Sequence, residues 1–140
     1  QLIENIDEYA IVKWKFDAQG NETELSFYGK DEKIKNNVNS YAKIVSDFDN
    51  KGNKIKETFY DANNNLVENN NQFAITEWKY NEQGEPIEQT HYGIYKQLRE
   101  FNGAAITKWN YLAEKKKTEV KIYGIDEMTK KNVRTEYVKW

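Results

Sequence analysis

The 140-residue chain has no cysteine, one histidine, one proline and one methionine. Without cysteine it has no disulfide, no thiolate nucleophile and no sulfur-ligated metal site. His91 stands alone, so no second imidazole completes a zinc set. No apolar run approaches the roughly 20 residues that a membrane-spanning helix needs, and mean hydropathy is −1.01. Neither sign of charge prevails: 21 Lys and Arg stand against 23 Asp and Glu, leaving no basic field for nucleic acid. The seven glycines are scattered singly, so there is no glycine-rich phosphate loop. The expected protein therefore uses no cofactor or metal, binds no nucleic acid and inserts into no membrane.

What the chain has is aromatic residues: 10 Tyr, 6 Phe and 4 Trp. Each buries roughly 150–250 Å², enough to hold together an otherwise polar chain. Disordered chains lack such residues.

The aromatics recur. Four segments begin YAIVKWKFD at Tyr9, YAKIVSDFD at Tyr41, FAITEWKYN at Phe73 and AAITKWNYL at Ala104, with offsets of 32, 32 and 31. Ala10, Ala42, Ala74 and Ala105 match, as do Phe16, Phe48, Tyr80 and Tyr111. Trp14, Trp78 and Trp109 match, with Ser46 the exception, and Tyr28, Tyr60, Tyr92 and Tyr123 form a further series. Units of 9–40, 41–72, 73–103 and 104–136 follow, with partial units at 1–8 and 137–140.

Each unit reads as three strands. The first alternates with period two, Ala10, Val12, Trp14 and Phe16 against Ile11, Lys13 and Lys15, which marks a strand exposed on one side. Asp17-Ala18-Gln19-Gly20-Asn21 and Asp49-Asn50-Lys51-Gly52-Asn53 read as hairpin loops. The second strand runs from about Glu22 to Tyr28, and a short third lies around Ile34, Leu66, Leu98 and Val133. Pro86 stands at a strand start, where its missing N–H does least harm. The predicted fold is all-β: four tandem three-stranded antiparallel units in a twisted, curled meander, with a closed up-and-down barrel as the alternative. Helix is limited to a turn near residues 95–99 or 126–131.

The ends are cut in mid-repeat. LIENIDEY at 2–9 matches LVENNNQF at 66–73, and YVKW at 137–140 resembles IVKW at 11–14. Together with Gln1 in place of Met, this reads as a piece of a longer array, or as an offset that pairs the last strand with the first. Acidic residues near the start and lysines near the end suggest head-to-tail association of copies. Abundant Asn and Lys suggest a low-GC bacterial source.

The run Tyr-Ala, Phe-Asp-x-x-Gly-Asn and Phe-Tyr-Asp across residues 41–61 resembles the tyrosine-aspartate-type and aromatic-Asp-x-x-Gly-Asn β-hairpin repeats of bacterial surface and secreted proteins. The resemblance spans nearly the whole chain. It implies a β-rich scaffold that binds something, and it carries over no catalytic residue. The expected protein is a non-enzymatic module, secreted or at the cell surface with the cytoplasm left open, that binds protein or glycan.

Tests for chemistry agree with that expectation. His91 aligns with Phe27, Phe59 and Ile122 and reads as a packed residue. Ser26, Ser40 and Ser46 stand in no nucleophile-elbow context. Glu24, Glu88 and Glu119 share a strand face, but repetition gives them equal environments, whereas a hydrolase needs distinct ones. Asp61-Ala62-Asn63-Asn64-Asn65 starts like a calcium loop but has Leu66 at position six and Gln72 at position twelve, so it reads as an Asx-rich turn. Two aromatic series remain as candidate ligand-binding residues: Trp14, Trp78 and Trp109, and Tyr28, Tyr60, Tyr92 and Tyr123. As ladders they are either the core of a thin sheet or a platform for sugar rings or extended peptide. In a barrel, the tryptophans would instead line a cavity for a small apolar ligand. An intracellular inhibitor-type protein is a further reading.

Overall fold

The computed structural model describes residues 1–125 and 132–140. Nine strands follow one another: β1 Ile11–Phe16, β2 Glu22–Tyr28, β3 Lys43–Phe48, β4 Lys54–Tyr60, β5 Ile75–Tyr80, β6 Pro86–Tyr92, β7 Ile106–Leu112, β8 Lys117–Tyr123 and β9 Asn132–Lys139. They form one antiparallel up-and-down sheet in sequence order. The sheet is open: β1 pairs only with β2 and β9 only with β8. The barrel alternative, the apolar-ligand cavity inside it and the pairing of last strand with first are thereby overturned. A sheet closes only when strand tilt and register shear bring its two edges together, and here both edges stay open.

Strand pairs alternate between two kinds. Within a unit the ladder is long, as in the six pairs from Ile11↔Tyr28 to Phe16↔Glu22. Between units it shrinks to three pairs, Glu24↔Val45, Leu25↔Ile44 and Ser26↔Lys43. The expected third strand occupies the space left beyond that short ladder. It is a single bridge in each of the first three units: Tyr28↔Ile34, Tyr60↔Leu66 and Tyr92↔Leu98. In the fourth unit the third strand, around Val133, is instead the full-length β9. β9 is displaced by two residues from the register that the YVKW match implies. Lys121 faces Thr135, whereas its counterpart Ser26 faces Lys43, the position matched by Tyr137. A shift of two residues keeps every side chain on its own face.

The turns explain the spacing of the units. In the first three hairpins Gly20, Gly52 and Gly84 take φ of 86°, 84° and 80°. Asp17, Asp49 and Asn81 each accept two backbone N–H bonds, at 2.9–3.0 Å. An Asx turn needs only a side-chain oxygen, so Asn81 replaces aspartate without loss. Leu112 has no such oxygen, and the fourth hairpin closes through a short 3-10 turn, Ala113–Lys115. The predicted turn at 95–99 is non-helical, and the one at 126–131 lies outside the described residues. Asp61 is an Asx turn, accepting from the Asn63 and Asn65 N–H groups at 2.9 Å. Between units, Asn5, Asn37 and Asn69 donate through their backbone N–H to the carbonyls of Tyr9, Tyr41 and Phe73 at 2.8–3.0 Å. Before the fourth unit this loop is replaced by a two-residue turn, Asn102 at φ 52° and Gly103 at φ 78°, held by a reciprocal Phe101–Ala104 pair. That is the favoured Asn-Gly hairpin geometry, and it accounts for the offset of 31.

The conserved-looking alanines occupy one setting. Ala10, Ala42, Ala74 and Ala105 donate to the Tyr28, Tyr60, Tyr92 and Tyr123 carbonyls, each at 2.8 Å. The carbonyls of Ala42, Ala74 and Ala105 accept from Phe27, Phe59 and His91 of the preceding unit at 2.9–3.0 Å. These three alanines have no exposed surface, and a larger side chain has no space there.

Candidate binding surface

Side chains on a strand alternate faces, and residues opposite each other in a ladder share one. Trp14 lies opposite Leu25, and Val12 opposite Phe27, on one face; Tyr28 lies opposite Ile11 on the other. The same register puts Trp78 and Trp109 with Trp14, and Tyr60, Tyr92 and Tyr123 with Tyr28. The two predicted ladders thus occupy opposite faces of a one-layer sheet.

Neither ladder is the core. The rings in contact form a different series: Tyr9–Phe27 at 4.9 Å, Phe27–Tyr41 at 5.8 Å, Tyr41–Phe59 at 4.9 Å, Phe59–Phe73 at 5.9 Å and Phe73–His91 at 4.4 Å, ending on Phe101. Each tilted or edge-on pair adds about 0.5–1.5 kcal/mol beyond its area burial. This chain of rings runs through the first three units on the tryptophan side, at the end where the inter-unit loops fold back. Its rings are the first residues of the first three repeats and the Phe of the Phe27-Tyr28 and Phe59-Tyr60 pairs. His91 is packed as expected. It is 8% exposed, its Nδ1 is 2.9 Å from the Thr76 hydroxyl, and burial lowers its pKa.

On the tryptophan face the other half of the sheet is less covered. Trp14 is 54% and Phe16 62% exposed, while Phe48, Trp78, Tyr80, Trp109 and Tyr111 are half-buried. Ser46, which interrupts the series, is buried and lies opposite Glu57. Tyr80 and Tyr111 reach back to the preceding unit, their hydroxyls donating to the Lys54 and Pro86 carbonyls at 2.7 Å. Burial raises both phenol pKa values.

The tyrosine face is a charged carpet. Glu88 takes Lys79 at 2.8 Å and Lys108 at 3.6 Å, and the Lys79 bond holds its carboxyl below the usual range. Glu24 is raised by burial, but bonds from Lys15 at 3.1 Å and Ser26 at 3.0 Å outweigh this and lower it overall. Two open grooves lie here, of about 320 Å³ over Thr90 and Tyr92, and about 380 Å³ between Glu88 and Tyr123. Glu24 and Glu88 are thus each paired with lysine, whereas Glu77 on the same face has no ion pair among the described residues.

Among the described residues no group of three or more His, Asp or Glu is placed to hold a metal ion, and no helix is long and apolar enough to cross a membrane. Comparison with protein-family models, curated proteins and solved structures finds no match.

Proposed function

We propose that the chain is a non-enzymatic β-repeat scaffold, of the kind found on bacterial surfaces or secreted from them, that binds an extended polypeptide or glycan on its tryptophan face. The observation that carries this reading is the one-layer sheet, which leaves Trp14 and Phe16 more than half exposed beside the half-buried Trp78 and Trp109. Solvated aromatic rings spaced along a rigid sheet supply large contact area at low entropic cost and stack on sugar rings or on extended chain. The tyrosine series on the other face, Tyr28, Tyr60, Tyr92 and Tyr123, is a second recognition surface, with hydroxyls and paired charges. His91 is buried, and its Nδ1 is committed to the Thr76 hydroxyl and its ring to the ladder.

The test is a screen of immobilised oligosaccharides and extended peptides against the native chain, followed by tryptophan fluorescence titration of each binder. Binding shifts the emission and falls at least tenfold in Trp14→Ala with Trp78→Ala. A binder indifferent to both replacements would place the surface elsewhere and overturn the assignment.

A further inference from the structure

We propose that the third unit carries a binding site for an alkylammonium group, between the ring of Tyr92 and the carboxylate of Glu77. The site lies on the tyrosine face, so it stands or falls apart from the tryptophan-face reading above.

The other units serve as the comparison. In each of them a lysine of the chain itself caps the equivalent tyrosine ring: Lys13 lies 4.4 Å from the Tyr28 centroid, Lys43 5.2 Å from Tyr60 and Lys108 5.7 Å from Tyr123. The lysines come from two register positions. Lys43 is directly opposite its tyrosine, whereas Lys13 and Lys108 stand two residues further along the partner strand. In the third unit these two positions hold Ile75, opposite Tyr92, and Glu77. So, among the described residues, the ring that elsewhere is covered by a cation has none over it, and a carboxylate stands where two of the lysines stand.

The vacancy has a shape. A cavity of about 200 Å³ is lined by Ile75, Glu77, Tyr92 and Lys96 and adjoins the 320 Å³ groove that Glu77 and Tyr92 also line. Ile75 is 4% exposed and gives an apolar floor for an alkyl stem. Glu77 is exposed, and among the described residues no ion pair engages it; Lys79, its neighbour on the same face, is held by Glu88 at 2.8 Å. An ammonium placed here meets the negative face of an aromatic ring and a free carboxylate together, the pairing that makes a cation–π site selective. Lys96 lines the rim, and Lys56, opposite Glu77 across β4 and β5, lines the adjoining groove; these are the competing cations.

The experiment is an NMR titration of the tyrosine ring resonances with n-butylammonium, a free amine, and with N-acetyl-lysine methylamide, a chain-borne one, against sodium chloride at equal ionic strength. The expected result is a concentration-dependent shift at Tyr92 whose fitted association constant is about threefold that at Tyr60 or Tyr123, as a contact of roughly 0.6 kcal/mol implies. Response to both probes shows that the site reads the head group alone; response to the lysine derivative only shows that it reads a lysine on a chain. Glu77→Lys abolishes the shift by supplying the capping lysine that Lys13 and Lys108 supply elsewhere, a replacement the fold already accommodates at those positions. Lys96→Gln increases it. Equal shifts at all four tyrosines, no shift with either probe, or a Tyr92 shift that survives Glu77→Lys overturns the proposal.

Discussion

The Thr76–His91 pair offers a direct test of how the ring ladder is held together. Thr76 faces His91 across β5 and β6, where Val12 faces Phe27 in the first unit and Ile44 faces Phe59 in the second. The third unit thus replaces an apolar pair with a polar one of similar size. Thr76 is 2% exposed, so its hydroxyl depends on the 2.9 Å bond to Nδ1. His91→Phe removes that partner, and leaving a buried hydroxyl unsatisfied costs about 1–3 kcal/mol, reduced by the extra apolar area of the phenyl ring. Thr76→Val strands the imidazole nitrogen at a similar cost. The double variant restores the pair of the first unit and is expected to match or exceed the native stability. The coupling energy is then at least the sum of the two single costs and favours the double variant. Urea denaturation followed by tryptophan fluorescence measures all four proteins.

pH sharpens the test. Burial holds the folded pKa of His91 below its ordinary 6.5. As pH falls past 6.5 the unfolded chain takes up a proton that the folded chain refuses. The stability linked to this group is therefore complete above 6.5 and declines below it, towards the lower folded pKa. The double variant loses that decline. Costs that simply add in the double variant, or a decline near pH 6 that persists without His91, would refute the account of the pair.

Two further outcomes are expected. Tyr80→Phe removes the hydroxyl bond to the Lys54 carbonyl and costs about 0.5–1.5 kcal/mol, while Phe48→Tyr places a hydroxyl where the repeat puts the Glu22 carbonyl and gains up to a similar amount; urea midpoints at constant slope check both. In acid, Asp17 and Asp49 are held below their ordinary 3.8 chiefly by their Asn21 and Asn53 side-chain bonds, and Glu88 below its ordinary 4.5 chiefly by Lys79. Their contributions are present in full above those ordinary values and disappear as pH falls through the lower folded ones, so thermal unfolding scans below pH 4.5 should show a stepwise loss that Asp49→Asn diminishes.

Much of this architecture was legible in the residues. The alternation of Val12, Trp14 and Phe16 with Lys13 and Lys15 states a half-exposed strand because side chains on a strand alternate strictly. The Asp-x-x-Gly-Asn runs state the turns because glycine reaches positive φ and an Asx oxygen closes the loop locally. Both are short-range effects, which is why the first two strands of each unit and the first three hairpins agree with the structure, while the predicted third strand shrinks to single bridges in the first three units. The ring ladder was less legible. Period two divides the residues between two faces, but it does not say which rings meet from unit to unit, and Phe27, Phe59 and Phe73, which do meet neighbouring rings, are buried while Trp14 stays in solvent. The vacancy over Tyr92 needed the cross-strand register as well, since Lys43 and Lys13 reach their rings from different positions.

The sequence by itself determined a β meander of copied hairpins, because alternation, turn glycines and Asx residues act within a few residues of themselves. Only the tertiary structure decided that the sheet stays open and one layer thick, and which rings touch. Those outcomes depend on how the edges and loops of successive units meet, which the two-residue alternation within a strand does not specify.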